Sequence, residues 1–283
     1  MRIVLITGED VGHRYLANKL AAKIDLAGIV VDQGNPGASR WRRLCKRYTI
    51  SQLISRVGLK ILTIVCRDKV RRRRRAVAIL ESEDSSSFHS PHLVARVRGV
   101  NSKEGVRVVQ SLQPDVILVF GTGVVNNTVL SLARQIALNL HTGISPYYRG
   151  ADCVFWALHN NELNMLGATV HECTTQLDGG RIFATVRASL QADDDMFGAF
   201  FRCLVAGTDL YCRVIEDLIA GRLEGTPQDL NLGFEYRAVM HGVRADLKVR
   251  RQVKNGLIRR YVLSTDQRLA QITVGVQTGR HQG

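Results

Sequence analysis

Hydrophobic positions along the chain alternate between two kinds of pattern. Nearly continuous apolar runs at Arg2 to Thr7, Ile24 to Asp32, Leu93 to Val100, Val116 to Phe120, Ile136 to Leu140, Gly167 to Cys173 and Ile182 to Ser189 read as strands. Between several of them the spacing turns helical. Val11 to Ala22 places Tyr15, Leu16, Leu20 and Ala21 at helical intervals, and Asn101 or Ser102 can cap a helix running to Leu112. Further helices are expected near Asn127 to Arg134, over Ala151 to Asn160, and over Asp193 to Ala220, whose acids stand at the beginning as the helix dipole prefers. Strands alternating with helices predict an α/β fold built on an open, mostly parallel, Rossmann-like sheet. Beyond Gly221 the pattern weakens into a small appendage with a polar, glycine-containing tail.

One stretch departs from this alternation. From Gly37 to about Leu80 the chain is basic, and Leu53, Ile54, Val57, Ile61, Leu62 and Val65 share a broad helical face before the run Arg71 to Arg75. Residues 36 to 80 hold 14 basic side chains and one acid, Asp68, which accounts for nearly all of the chain's net charge of +14. The basicity is therefore local. An amphipathic basic helix can lie on an anionic membrane or pair with nucleic acid. The alternative is an insertion that packs its apolar face on the parent domain and leaves its charges solvated.

Composition narrows the class. A hydrophobic content of 45% and mean hydropathy of −0.03 over 283 residues suit a folded domain. The opening MRIVLITGED meets two acids too early for a secretory signal, and no apolar window is long enough to span a bilayer. The six cysteines never come closer than nine positions, so no paired zinc-ligand spacing exists, and buried free thiols in a reducing, cytoplasmic compartment are expected. The turn TGEDVGHR lacks the glycine pattern of a dinucleotide site, and its acids would repel a pyrophosphate.

Candidate chemistry concentrates between Pro114 and Gly180. Asn139 and His141 flank Leu140 at a strand end, so an amide and an imidazole share one face and can both donate to a developing oxyanion. Asp178 follows the next strand, within reach of the same edge, where it would favour the charged imidazole. No serine or cysteine occupies a nucleophile elbow, so transfer to an external amine is the economical chemistry.

The order N-x-H, SPYYRG and T-V-H-x-x-x-x-x-x-D-G-G resembles the folate-dependent formyltransferases, the family of glycinamide ribonucleotide, methionyl-tRNA and sugar N-formyltransferases. The resemblance implies that Asn139, His141 and Asp178 are catalytic, with 10-formyltetrahydrofolate as donor. It implies that Gly121, Thr122, Gly123, Val124 and Val125, together with Thr174, Thr175, Gln176 and Leu177, hold the folate through backbone contacts. Ser145, Tyr147, Tyr148, Arg149 and His171 would then line the acceptor side; for His171 a satisfied, half-buried histidine is the plainer reading.

Departures from the family pattern narrow the acceptor. Gly143-Ile144-Ser145-Pro146 replaces the usual Ser-Leu-Leu-Pro, and the glycine-rich phosphate loop of the glycinamide ribonucleotide enzymes is absent after the first strand. The stretch after Gly221 is short for a methionyl-tRNA formyltransferase barrel, and no regulatory domain of the formyltetrahydrofolate hydrolase kind precedes Met1. The expectation is an N-formyltransferase acting on a phosphate-bearing amine, an amino sugar on a nucleotide or lipid carrier; the alternatives are hydrolysis of the 10-formyltetrahydrofolate donor, or a formyltransferase-like scaffold that binds nucleic acid or membrane through its basic segment. Its domain would span residues 1–205 with the basic insertion at about 37–90, followed by a helix and appendage over 206–283. Other expected partners are an anionic membrane at its inner face or nucleic acid, reached through Arg71 to Arg75, and a second copy in a homodimer.

Overall fold

The computed structural model of the protein describes residues 1–34, 49–80 and 86–264. The apolar runs form strands β1 (Ile3–Thr7), β2 (Leu26–Asp32), β3 (Val94–Val97), β4 (Val116–Phe120), β5 (Ile136–His141), β7 (Gly167–Glu172) and β8 (Ile182–Arg187), with the short β6 (Tyr148–Gly150) and β9 (Phe234–Tyr236) outside the main sheet. Strand order in the main sheet is β3-β2-β1-β4-β5-β7-β8. The first five are parallel, whereas β7 is antiparallel to both β5 and β8. Every residue of β1 and β4 is buried, as expected for central strands covered on both faces.

Helices α1 (Val11–Lys23) and α7 (Met196–Ile219) cover one face, with Leu16, Leu20, Phe201, Leu204 and Tyr211 closing a core on β1, β4 and β5. The opposite face is covered by α4 (Lys103–Ser111) and the short α5 (Asn127–Leu130), through Val109, Val129 and Leu130. Ser102 caps α4, its side chain accepting from Gly105 N at 3.0 Å. Helices α6 (Cys153–Asn160), α8 (Val243–Lys254) and α9 (Leu257–Leu263) build a second core against the outer side of α7.

Three features differ from the sequence pattern. First, the boundary expected at residue 205 falls inside α7, a continuous 24-residue helix whose later turns, with Tyr211, Val214 and Ile215, are part of the main core. Second, residues 222–264 are folded onto the rest of the molecule: Thr226 bridges to Ile182, β9 pairs with β6, and α8 and α9 follow, while the expected polar tail over 265–283 lies outside the described residues.

Third, within the basic segment the described residues form two helices, α2 (Ile50–Val65) and α3 (Asp68–Ile79), parted at Arg67, whose φ of 52° interrupts the helix. Residues 35–48 and 81–85 of that expected insertion lie outside the described residues. Helix α3 packs on α7, and Arg71, Arg72 and Arg75 pair with Asp195, Asp10 and Asp193 at 3.0, 2.9 and 3.0 Å. The Arg71 guanidinium also lies over Phe197, and that of Arg72 over Phe200 and Phe201. Much of the arginine run thus docks a helix internally, leaving Arg73 and Arg74 as its exposed members. Asp68, the sole acid of the segment, is buried against Arg250 of α8.

One contact ties α7 to the strand that carries the candidate chemistry. The buried Tyr211 hydroxyl donates to Leu138 O at 2.7 Å and accepts from Val119 N at 3.1 Å, joining β4 and β5 next to Asn139. Tyr211→Phe keeps the ring and removes both hydrogen bonds, so urea denaturation should show a loss of about 1–3 kcal/mol. An unchanged midpoint and slope would show that the hydroxyl contributes nothing.

Candidate active site

The alternation of β5 places Asn139 and His141 on one face and buries Leu140 in the core on the other. Across the antiparallel ladder Asn139 stands opposite His171 and His141 opposite Thr169, so four polar side chains from two strands share one patch. Thr169 Oγ1 donates to Gly143 O at 2.8 Å and accepts from Ser145 N at 3.1 Å, which holds the loop after β5 against the patch. That loop passes so close that a Cβ at Gly143 would overlap His141 Nε2 and Cys153. Only glycine fits there.

Asp178 reaches the patch by a route the sequence does not display. Because β7 runs antiparallel, its exit lies near the start of β5, where Cys173 N donates to Ala137 O at 2.8 Å. The loop then folds back toward His141. At its turn Asp178 adopts φ 48°, a left-handed conformation unusual for a non-glycine residue, and its carboxylate enters the site. Oδ2 accepts from Gly150 N at 2.8 Å and lies 3.3 Å from His141 Nδ1, while Oδ1 lies 3.2 Å from His171 Nε2.

These contacts set the electrostatics. Burial works to raise the Asp178 pKa, but the His141 ring, the hydrogen bond with His171 and the Gly150 N–H together hold it well below the ordinary carboxylate range. The two rings contribute most of this lowering, and the Gly150 N–H adds to it. For His141, burial is the largest influence and pushes the pKa down against the pull of Asp178. Its Nε2 donates to Tyr148 O at 2.9 Å, so both ring nitrogens face acceptors while burial makes the second proton easy to lose. A proton held this loosely is available for relay.

His171 is buried at 2% exposure, donates from Nδ1 to Glu172 O at 2.8 Å, and meets Asn139 Nδ2 at 3.1 Å. It is satisfied, as the plainer reading expected, yet its partners are the candidate catalytic groups. The acceptor-side expectations divide. Tyr147 is exposed, whereas Tyr148 and Arg149 are turned inward. Tyr148 donates to Glu162 and stacks on Tyr236, and Arg149 Nη2 donates to Leu230 O at 3.0 Å, so both hold the C-terminal segment rather than face a ligand. Ser145 is buried with no partner for its Oγ.

The two loops expected to hold a folate are largely exposed. Gly121 turns with φ 64°, Gly123 has open space around it, and Thr122 Oγ1 donates to Gly123 O. Val124 is exposed, while Val125 is anchored in the core beneath α5. Thr174, Thr175, Gln176 and Leu177 are exposed, and Cys173 at the base of their loop packs against the same core as Val125. Two loops with exposed residues therefore rise from one cluster. The turn between β1 and α1, at the point where strand order reverses, is filled by the largely buried His13, whose ring lies against Gly8 and Gly121.

Sequence reasoning missed Gln228, Gly150 and Thr169. Gln228 Nε2 donates to Asp178 O at 2.9 Å and to Gly180 O, bracing the strained turn from the C-terminal segment. Gly150 supplies its N–H while holding φ 89° beside Tyr236 O, where a Cβ would overlap. Thr169 was legible, because a two-residue period puts it on the face of His171; nothing local marks Gln228.

A family model described as formyl transferase matches residues 49–215, more than half of the chain. A methionyl-tRNA formyltransferase from Chlorobium limicola is 28% identical over 172 residues, 61% of this chain and 54% of that protein. The chain spans about half the length of the curated relatives it matches. A sugar N-formyltransferase from a Shewanella species superposes with a TM-score of 0.55 at 12% identity, over 88% of this chain and 86% of that one. An N-formyltransferase from Helicobacter canadensis, solved with folinic acid and dTDP-3-aminofucose, gives 0.51 at 13% identity over 84% and 71%. At such identities the structural likeness bears on the fold alone.

The depressed pKa of Asp178 has a signed consequence. Its carboxylate contributes stability above the unfolded-state value of about 3.9, and that contribution is lost as pH falls toward the folded value. Asp178→Asn removes it, so urea melts taken from neutral to acid pH should fall less steeply for the variant than for wild type; parallel profiles would show a carboxylate that is not held ionised. Gln228→Leu should speed amide exchange in the 174–180 loop by up to about tenfold, and unchanged exchange would remove Gln228 as its brace.

Proposed function

Because the chain belongs to the formyl transferase family, we propose that it moves a formyl group from 10-formyltetrahydrofolate to a primary amine. The observation that carries this reading is the buried Asp178 carboxylate, gripped by Gly150 N–H and set between His141 and His171 beside Asn139. The folate would lie between the Gly121–Val125 and Thr174–Leu177 loops, meeting their exposed residues. It supplies a formyl carbon bonded to a nitrogen able to leave.

The protein's own groups then divide the work. As the amine attacks, charge develops on the formyl oxygen, and Asn139 Nδ2 and His141 Nε2 exchange His171 and the Tyr148 carbonyl for that oxygen. Asp178 draws off the proton that the attacking nitrogen releases, directly or through water, and His141 returns one to the departing nitrogen. One proton leaves the amine and one reaches the leaving group, so the transfer balances without a covalent enzyme intermediate. The thiols nearby fit that economy: burial, then the charge of Asp178, pushes Cys173 up to about 12 and Cys153 well above the ordinary thiol range, so neither supplies a thiolate near neutral pH.

An amino sugar on a nucleotide or lipid carrier is the acceptor we favour. It is supported by the Helicobacter canadensis enzyme, whose structure holds a folate with a nucleotide-linked amino sugar. The sequence relatives are methionyl-tRNA formyltransferases, which makes charged initiator tRNA the competing acceptor. The reaction belongs in the cytoplasm on this reading.

With 10-formyltetrahydrofolate and a panel of nucleotide-linked amino sugars, tetrahydrofolate should be released only when amine is present. Alanine at Asn139, His141 or Asp178 should lower kcat by about 100- to 10,000-fold. Full turnover by Asp178→Ala would overturn the mechanism. Formylation of methionyl-tRNA alone would change the acceptor and leave the trio standing, and formate release without amine would make the protein a hydrolase.

A further inference from the structure

Helix α2 is two-faced in an uncommon way. One side is committed to the protein: Val243 N of α8 donates to Ser55 Oγ at 3.2 Å, and a Cβ at Gly58 would crowd Val243. The other side carries Ile54, Val57, Ile61, Ile64 and Val65, each 57–72% exposed. At 3.6 residues per turn these five fall within an arc of about 100°, a continuous aliphatic stripe pointing away from the body of the protein. A stripe of this kind on a surface helix signals contact with something apolar.

The rim of the stripe identifies the partner. Lys60, Arg67, Lys69, Arg73 and Arg74 are exposed on α2 and α3, while the one acid of the two helices, Asp68, is buried against Arg250. An aliphatic stripe bordered by cations alone complements a surface that offers anionic headgroups above acyl chains. A second copy of the chain would bring two such cationic faces together, and they repel. Nucleic acid would take the cations but leave the aliphatic groups without an apolar counterpart, since phosphate contacts are made by charged and polar donors.

We infer that α2 is the docking face by which this protein lies on an anionic lipid bilayer. Because its inner side is held by α8, the helix meets the bilayer side-on, burying the stripe while Arg73 and Arg74 reach phosphate groups. This assignment refines the role expected of the arginine run, since Arg71, Arg72 and Arg75 are occupied by Asp195, Asp10 and Asp193. It stands independently of the formyl-transfer reading.

The test is flotation of the full chain with vesicles of phosphatidylcholine alone and with one-third phosphatidylglycerol. The chain should float with the anionic vesicles and not with the neutral ones. The triple variant Ile54→Ser, Ile61→Ser, Ile64→Ser retains every charge and should no longer float, with its urea midpoint unchanged because the substituted side chains are exposed. Arg73→Gln with Arg74→Gln should lower vesicle partitioning by roughly 30-fold, about fivefold for each cation, and reads the same surface should the serine variant fail to fold. No flotation of the wild type, or undiminished flotation of the folded serine variant, overturns the inference. Binding competed away by single-stranded RNA and indifferent to the serine changes assigns the face to nucleic acid. Self-association in sedimentation equilibrium that the serine changes abolish, without vesicle binding, assigns it to a second copy.

Discussion

A buried carboxylate must be satisfied on every side, and much of this structure can be understood as the means of satisfying Asp178. Its three donors come from three places: His141 at the end of β5, His171 on β7, and the backbone of Gly150 in β6. Gly150 can offer its N–H only in a left-handed conformation beside Tyr236 O, which requires both the absence of a Cβ and the pairing of β6 with β9. Asp178 itself is left-handed, and the carbonyls around its turn are held by Gln228. The segment after α7 is therefore not peripheral. Without it, the group that controls the proton would have neither its backbone donor in place nor its turn braced.

The same logic gives the two histidines distinct parts. His141 lies between a carbonyl and the carboxylate, in surroundings dry enough to loosen its proton. His171 is tied on one nitrogen to the Glu172 carbonyl and on the other to Asn139 and Asp178. Its Nε2 serves one of those two at a time, accepting from Asn139 or donating to Asp178, and it stands directly opposite Asn139 because an antiparallel neighbour sets cross-strand pairs in register.

The basic segment separates into charges used within the protein and charges left outside. Arg71, Arg72 and Arg75 act over short range, combining ion pairs with aromatic faces on α7. Pairs this exposed contribute little individually, about 1 kcal/mol or less, so the hold of α3 on α7 rests on their combination with the burial of Ala76 and Leu80. Helix α2 differs because its hydrophobic residues divide between two faces, and a single packing partner can cover one face only.

The sequence by itself determined the parts that depend on local periodicity. The runs at β1 and β4 were legible because strands buried on both faces must be apolar throughout, and α4 was legible from its Ser102 cap. Alternation along β5 was enough to place Asn139 and His141 together, and the motif order pointed to Asp178. What only the tertiary structure decided is everything carried by backbone groups and by distant segments. The Gly150 donor, the Gln228 brace, the Tyr211 hydroxyl between β4 and β5, and the inward turn of Tyr148 and Arg149 leave no periodic trace, because a single hydrogen bond between remote residues constrains geometry without constraining composition. The stripe on α2 shows the same division: its helical spacing was in the sequence, but which face the protein would cover was settled only when α8 took the other.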